Sequence, residues 1–346
     1  LPIIEAGFPI ASRQDAKGVE LVAKEFGRDI VISAMCRAVF KDIEAAADSL
    51  GDAPKRRIQV VMGTSDIHLK HKFNMSRQQG LEESVKAVEY ARRFSDDVEF
   101  AAEDSTRSEL DYLIQVCKAA VEAGARTVEL PDTVGYASPQ EYLDMVSAVV
   151  KALPAHIVVS THCHDDLGLA VANTLAGIQG GAGQAEVTVN GIGERVGNAS
   201  SEEVIMTLKT RSDFYQVDID RINTREIMKT SKLIEELSHI KIAHNKAIVG
   251  RGAFLHESGI HQDGLIKSPQ TYQLLDPRDI GLEGYQLVLG KLSGKNALKQ
   301  KLEELGIKLS GDQMRGFSEF FKDNAAKKKF VTDDDVLTLY RKWKAG

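Results

Sequence analysis

The stretch HIVVSTHCHDDLGLAVAN, residues 156–173, decides how the chain is read. An apolar run leads into two imidazoles at alternate positions, His162 and His164, and an apolar, helix-forming segment follows at once. Side chains alternate across a strand, so His162 and His164 share a face and Cys163 points away from them. Two neutral imidazoles on one face form half of a divalent-metal site. The competing reading is two ordinary polar residues where a strand leaves the core. Which one holds depends on what other strands bring to the same place.

Working outward, six more short apolar runs precede or follow this one. They are PIIEAGF (2–8), DIVISAMC (29–36), IQVVMGTS (58–65), VEFAAED (98–104), TVELPDT (127–133) and AEVTVNGIG (185–193). Amphipathic segments such as SRQDAKGVELVAKEF and SPQEYLDMVSAVVKAL lie between them. The repeat is about 30 residues, the size of a βα unit. Runs this apolar predict strands covered on both faces, as in a parallel sheet. A doubly wound sheet would carry a glycine-rich turn after its first strand, and none is present. GIGERVG (191–197) follows the last run instead, with the wrong spacing for a dinucleotide fingerprint.

Nearly every run ends in polar, reactive side chains: Glu5, Arg37, Thr64 and Ser65, Glu103 and Asp104, Asp132 and Thr133, His162 and His164, Asn190 and Glu194. A TIM barrel gathers the C-terminal ends of its strands at one mouth, where catalytic groups converge. The expected fold is therefore an α/β TIM (β/α)8 barrel. Seven strands are visible and closure needs eight. Leu1 opens a segment that already reads as a strand, so the first barrel strand is expected upstream of it. The barrel is expected over 1–230, a linking subdomain with HESGIHQDG over 231–290, and a small helical subdomain over 291–346.

Composition bounds the possibilities. The chain has 346 residues, 43% hydrophobic and 27% charged, with a net charge of −6, an ordinary globular composition. The negative balance gives no global field for nucleic acid. Lys327, Lys328 and Lys329 form a cationic run, read as a solvated helix face. Cys36, Cys117 and Cys163 are too few and scattered for a disulfide framework. No run approaches the roughly 20 apolar residues that span a membrane, and no signal peptide is evident. A cytoplasmic location is expected. GKLSGKN (290–296) lacks the spacing of a phosphate loop and is read as a helix-capping turn.

The metal reading gains from the seventh run. Adjacent barrel strands bring their ends together, so Asn198, in VNGIGERVGNAS, is placed to offer an amide oxygen beside His162 and His164. Two nitrogens with oxygen donors suit Mn2+, Mg2+, Zn2+ or Co2+.

The segments STHCHDDLGLAVAN, VNGIGERVGNAS, LPDTVGY and HESGIHQDG together resemble the 2-isopropylmalate synthase family of metal-dependent TIM-barrel acyltransferases. The resemblance covers essentially the whole chain. It implies a Claisen-type condensation of acetyl-CoA with 2-oxoisovalerate, yielding 2-isopropylmalate and CoA for leucine biosynthesis. Citramalate synthase, with pyruvate as acceptor, and homocitrate synthase are the neighbouring alternatives. An aldolase or lyase on the same barrel is the alternative from another class; such lyases carry a cysteine-bearing mobile loop that this sequence lacks.

Carried over, the resemblance implies His162, His164 and Asn198 as metal ligands. The family's further ligand, an aspartate in an Arg-Asp-Gly segment of the first strand, has no counterpart here, so weak metal binding and poor turnover are expected of the chain as it stands. Glu103 in AAEDS corresponds to a glutamate near the reacting carbons, and Thr133 to the residue that holds the oxo acid's carboxylate. His68 corresponds to a substrate-side histidine. Glu194 and Gly197 frame the metal loop. His261 and Tyr272 correspond to a pair delivered from the partner subunit of a homodimer, with His261 as general base. For Glu103, an ion pair with Arg107 is the plain structural alternative; for Thr133, a helix cap or turn. The family's C-terminal leucine-binding regulatory domain is expected beyond Gly346.

Overall fold

A computed structural model of the chain describes residues 1–256, 258–284, 286–287, 294–325 and 331–345. It divides into two compact units, Leu1–Ile222 and Asn223–Gly346.

The first unit is a single parallel sheet of seven strands in sequential order. They are β1 (Ile3–Glu5), β2 (Val31–Arg37), β3 (Arg56–Gly63), β4 (Asp97–Glu103), β5 (Thr127–Asp132), β6 (Val158–Cys163) and β7 (Gln184–Glu186). Helices Arg13–Phe26, Phe40–Leu50, Arg77–Ala91, Leu110–Glu122, Pro139–Ala152 and Ala170–Gln179 make the crossovers. Their starts follow local chemistry: Ser76 and Ser138 each form a capping box with the residue three positions on, Gln79 and Glu141, satisfying amides that the first helical turn leaves free. The curled sheet is seven-eighths of the expected barrel. Two strands, β1 and β7, are less than half as long as their apolar runs. β7 ends at Glu186 because Thr188 and Ser200 pair instead, and Asn190 turns into the left-handed region with φ 63°.

Register separates the two sheet faces. One row runs Glu5↔Ser33↔Arg57↔Asp97 and, two residues on, Gln59↔Glu99↔Thr127. A later row runs Ala101↔Glu129↔Ser160↔Gln184, and Pro131↔His162↔Glu186 follows it. This is the concave face. The opposite parity, including Ile32, Cys36, Ile58, Val60, Phe100, Val128 and Leu130, is fully buried beneath the helices. Both faces are buried, as expected, Gln59, Glu99, Glu129 and Ser160 of the concave face included, but the two faces differ in chemistry. The outward face builds the core, and the inward face is largely polar, where barrel interiors of this type are usually filled by branched apolar side chains.

In the second unit the helix Ile227–Ser238 leads to a short parallel pair, Leu255–His256 with Gln286–Leu287. The helix Gly259–Lys267 carries the GIHQDG segment. Helices Lys295–Glu304, Gly311–Ala325 and Asp333–Ala345 close over their own apolar core of Leu298, Leu302, Met314, Phe317, Phe321 and Val336. Gly294 caps the first of these; the rest of GKLS, and Lys327–Lys329, lie outside the described residues.

Candidate active site

The C-terminal rim of the sheet assembles from the strand ends inward. β6 delivers His162 and His164, whose rings stack with centroids 5.3 Å apart and planes 25° apart. Cys163 points the other way and is buried. The loop after β7 folds back onto β6: His164 pairs with Asn198 in an isolated antiparallel bridge, the Asp165 amide donates to the Gly197 carbonyl at 2.9 Å, and the Ala199 amide donates to the Cys163 carbonyl at 3.0 Å. Gly197 is required there. Its φ is +105°, and a Cβ would lie 1.9 Å from the Gly191 carbonyl oxygen. Asn198 is thereby held beside His164.

His164 Nδ1 and Asn198 Oδ1 are both buried and, among the described residues, have no hydrogen-bond partner. A buried polar atom without a partner costs roughly 1–3 kcal/mol, and two neighbouring donors left so, one nitrogen and one oxygen, fit a divalent cation. His162 differs. Its Nδ1 lies 3.0 Å from Glu129 Oε1 and 3.1 Å from Glu186 Oε2, leaving Nε2 as its free ring nitrogen. Burial alone would lower the His162 pKa, but Glu129 and Glu186 together raise it well above the ordinary value. His164, desolvated and beside His162 and Arg195, is pushed down to about 4, which keeps it a neutral donor. Glu129, His162 and Glu186 also form, among the described residues, a cluster of donor atoms within 4.8 Å of one another.

Below this rim a polar network fills the concave face. Gln59 Nε2 donates to Glu129 at 2.6 Å. Glu186 accepts from Ser160 Oγ at 3.1 Å and Gln184 Nε2 at 3.2 Å. Gln184 reaches Glu99, and Arg57 pairs with Glu99 and Asp97. Burial, then Glu186 and Glu129, push Glu5 up to about 7. None of these groups except Glu5 was picked out from the sequence. The available signal was charged residues at one alternate parity inside otherwise apolar runs.

The other expected residues of the first unit stand at or beside the strand ends of the same rim. Glu103 ends β4 and is gripped by Lys72 Nζ at 2.6 and 2.8 Å. Arg107, the partner considered from sequence, pairs with Asp104 instead. His68 Nδ1 approaches Glu103 at 3.5 Å without forming a hydrogen bond. Thr133 is neither helix cap nor free: its hydroxyl accepts from the Asp104 amide at 2.9 Å, leaving its own proton to donate, and its carbonyl accepts from Arg195. Arg195 in turn grips Asp166. Asp104 and Arg195 both have positive φ, 66° and 56°, so the rim stores backbone strain, as functional loops do. Glu194 has an exposed side chain, and its carbonyl accepts from Gly197. In the second unit, the His261 and Tyr272 rings stack at 4.2 Å, with His256 at 6.5 Å from His261.

Comparison with known proteins follows the same division. The HMGL-like family matches residues 1–234, and a domain described as homocitrate synthase post-HMGL domain-like matches residues 248–329. The chain is 49% identical to a 2-isopropylmalate synthase of Pyrococcus abyssi over 97% of this chain and 69% of that protein. It is 50% identical to one from Carboxydothermus hydrogenoformans, covering 97% and 66%. It is 47% identical to 2-isopropylmalate synthase 1 of Caldanaerobacter subterraneus, covering 96% and 84%. The chain thus spans about two thirds of the length of the first two. Among solved structures it resembles an HMG-CoA lyase from Bacillus subtilis, with TM-score 0.60, 20% identity, and coverage of 71% of this chain and 84% of that one. A hydroxymethylglutaryl-CoA lyase from Pseudomonas aeruginosa matches with TM-score 0.58, 22% identity, and coverage of 78% and 86%. At these identities the structures show a shared fold.

Proposed function

We infer that the chain, which belongs to the HMGL-like family and within it to the 2-isopropylmalate synthases, condenses acetyl-CoA with 2-oxoisovalerate to give 2-isopropylmalate and CoA. The observation that carries the reading is the pair of partnerless buried atoms, His164 Nδ1 and Asn198 Oδ1, beside His162. We assign His162, His164 and Asn198 as the ligands of a divalent ion, one of Mn2+, Mg2+, Zn2+ or Co2+. Bound there, such an ion supplies Lewis acidity toward the ketone of the oxo acid.

The remaining roles belong to the chain's own groups. The Thr133 hydroxyl, with its lone pair engaged by Asp104, donates to the acceptor's carboxylate. A base takes a proton from the acetyl methyl group, the resulting carbanion adds to the ketone carbon, and water then cleaves the thioester to release CoA. We assign the base to His261, with Tyr272 stacked on it, acting from the second subunit of a homodimer. To Glu103, held by Lys72, we assign the position beside the reacting carbons, and to His68, which approaches Glu103, the substrate side. Glu194 acts from the loop that Gly197 shapes. A cytoplasmic location fits acetyl-CoA as co-substrate, and among the described residues no helix is long and apolar enough to cross a membrane.

The test is acetyl-CoA-dependent thiol release by the full-length protein with Mn2+, comparing 2-oxoisovalerate, pyruvate and 2-oxoglutarate, and repeated with His162→Ala and His164→Ala. A preference for 2-oxoisovalerate that both substitutions abolish is expected. A preference for pyruvate would reassign the acceptor, and no CoA release with any oxo acid would overturn the acyltransferase reading.

A further inference from the structure

We propose that Glu129 and Glu186 are positioning residues that hold the Nδ1–H of His162 and so present its Nε2 as the metal-binding nitrogen. The proposal rests on the metal assignment above and adds to it the part of the site that lies inside the sheet. Two readings of the same cluster compete. In one, Glu129, His162 Nδ1 and Glu186 are themselves a metal cage, since their donor atoms lie within 4.8 Å. In the other, the two carboxylates accept one imidazole proton and the ion sits beyond the ring.

Three observations favour the second reading. First, both carboxylates contact the same nitrogen, at 3.0 and 3.1 Å, which are hydrogen-bond distances to a shared N–H. Second, their other oxygens are engaged. Glu129 Oε2 accepts from Gln59 Nε2, and Glu186 Oε1 accepts from Ser160 and Gln184. The carboxylates are thus fixed from below by donors on β3, β6 and β7. Third, the unpartnered donors are not the carboxylates: among the described residues His164 Nδ1 and Asn198 Oδ1 lack partners, whereas no oxygen of Glu129 or Glu186 is left without one. A metal-bound imidazole ordinarily gives its second N–H to a carboxylate or carbonyl, which fixes tautomer and ring orientation and strengthens the ligand.

The test measures Mn2+ alone, by the free-ion EPR signal, on the full-length protein and its Glu129→Gln, Glu186→Gln, double, His164→Ala and Asn198→Ala variants. Each single glutamate variant is expected to raise the Kd about 10–100-fold, the usual effect of losing such a partner, and His164→Ala is expected to abolish binding. Spectra of metal-free protein carrying 15N-histidine provide a readout independent of binding. At a pH high enough to leave the ring neutral, His162 is expected as the Nδ1–H tautomer in the native protein and as a tautomer mixture in the double variant. Should the double variant fold poorly, Ser160→Ala releases Glu186 more gently and is expected to weaken binding several-fold. A double variant with Kd within threefold of the native protein overturns the proposal and leaves the ligand assignment standing if His164→Ala still loses the ion. Loss of Mn2+ in the glutamate variants with native affinity in His164→Ala and Asn198→Ala overturns both, and puts the ion between Glu129, His162 and Glu186.

Discussion

Gly197→Ala tests whether the loop after β7 places Asn198 by backbone contact. The new Cβ would lie 1.9 Å from the Gly191 carbonyl oxygen and 3.1 Å from its carbon. Taking about 3.3 Å as a close carbon–oxygen approach, the two strands of the loop must separate by roughly 1.4 Å. That displaced carbonyl also accepts the Asn198 amide at 3.0 Å, so the movement breaks a bond worth about 1 kcal/mol. The φ of +105° adds strain on the order of 1–3 kcal/mol for a residue with a side chain. A total near 3 kcal/mol lowers Tm by about 6–12 °C for a unit of this size. Because Asn198 moves with the loop, Mn2+ affinity is expected to fall about 10–100-fold, as for lost support of a ligand. Two other glycines calibrate the result. Gly168 has φ +73° with no atom within 4 Å of a Cβ, so Gly168→Ala carries the backbone strain without the collision. Gly18 lies within the helix Arg13–Phe26 with open space around it, so Gly18→Ala is expected to stabilise by about 0.5–1 kcal/mol. Thermal melts and Mn2+ titration read all three. If Gly197→Ala binds Mn2+ like the native protein and melts no lower than Gly168→Ala, the close approach does not hold the loop and Asn198 is placed by something else.

Tyr142 is fully buried, and its hydroxyl donates to the Leu130 carbonyl at 2.6 Å; Tyr142→Phe is expected to cost about 1–2 kcal/mol, seen as a Tm lowered by about 3–6 °C, and an unchanged melt would show that this carbonyl finds another donor. All three cysteines are free and buried, and burial pushes Cys117 up to about 12. At pH 8 its thiolate fraction is then on the order of one in ten thousand, so the native protein is expected to leave a disulfide reagent unreacted over minutes and to titrate three thiols in denaturant. The same silence keeps the background low in the CoA-release assay, and a fast native reaction would contradict the burial.

The strand order was legible because each apolar run in the first unit is long enough to be recognised against the amphipathic segments around it. IQVVMGTS and HIVVSTHCH both became strands near their expected limits, Arg56–Gly63 and Val158–Cys163. AEVTVNGIG did not, since the apolar pattern continues past Glu186 while the backbone leaves the sheet to pair Thr188 with Ser200. A tertiary contact ended that strand, and local propensity carries no trace of it. The rim was legible for a related reason: His162, His164, Glu103 and Thr133 all stand at strand ends, where parity and position coincide. Partner choice was not. Glu103 took Lys72, 31 positions away, over Arg107, 4 away, because the segment after β3 turns Lys72 back over β4.

The polar interior explains why the site sits where it does. An apolar lumen would leave the imidazole of His162 to be oriented from the rim alone, where loops are the least rigid part of a barrel. Here the ring stands on carboxylates seated in strands β5 and β7, which are fixed by Gln59, Ser160 and Gln184, and through Glu99 by Arg57 on β3. Replacing branched apolar side chains with buried carboxylates is costly for a fold, and the outward face offsets it: Ile32, Ile58, Val60, Phe100, Val128 and Leu130 are fully buried against the helices. The two parities of the same strands therefore divide the work. One parity holds the sheet together, and the other carries rigidity from the strands to a single nitrogen at the mouth.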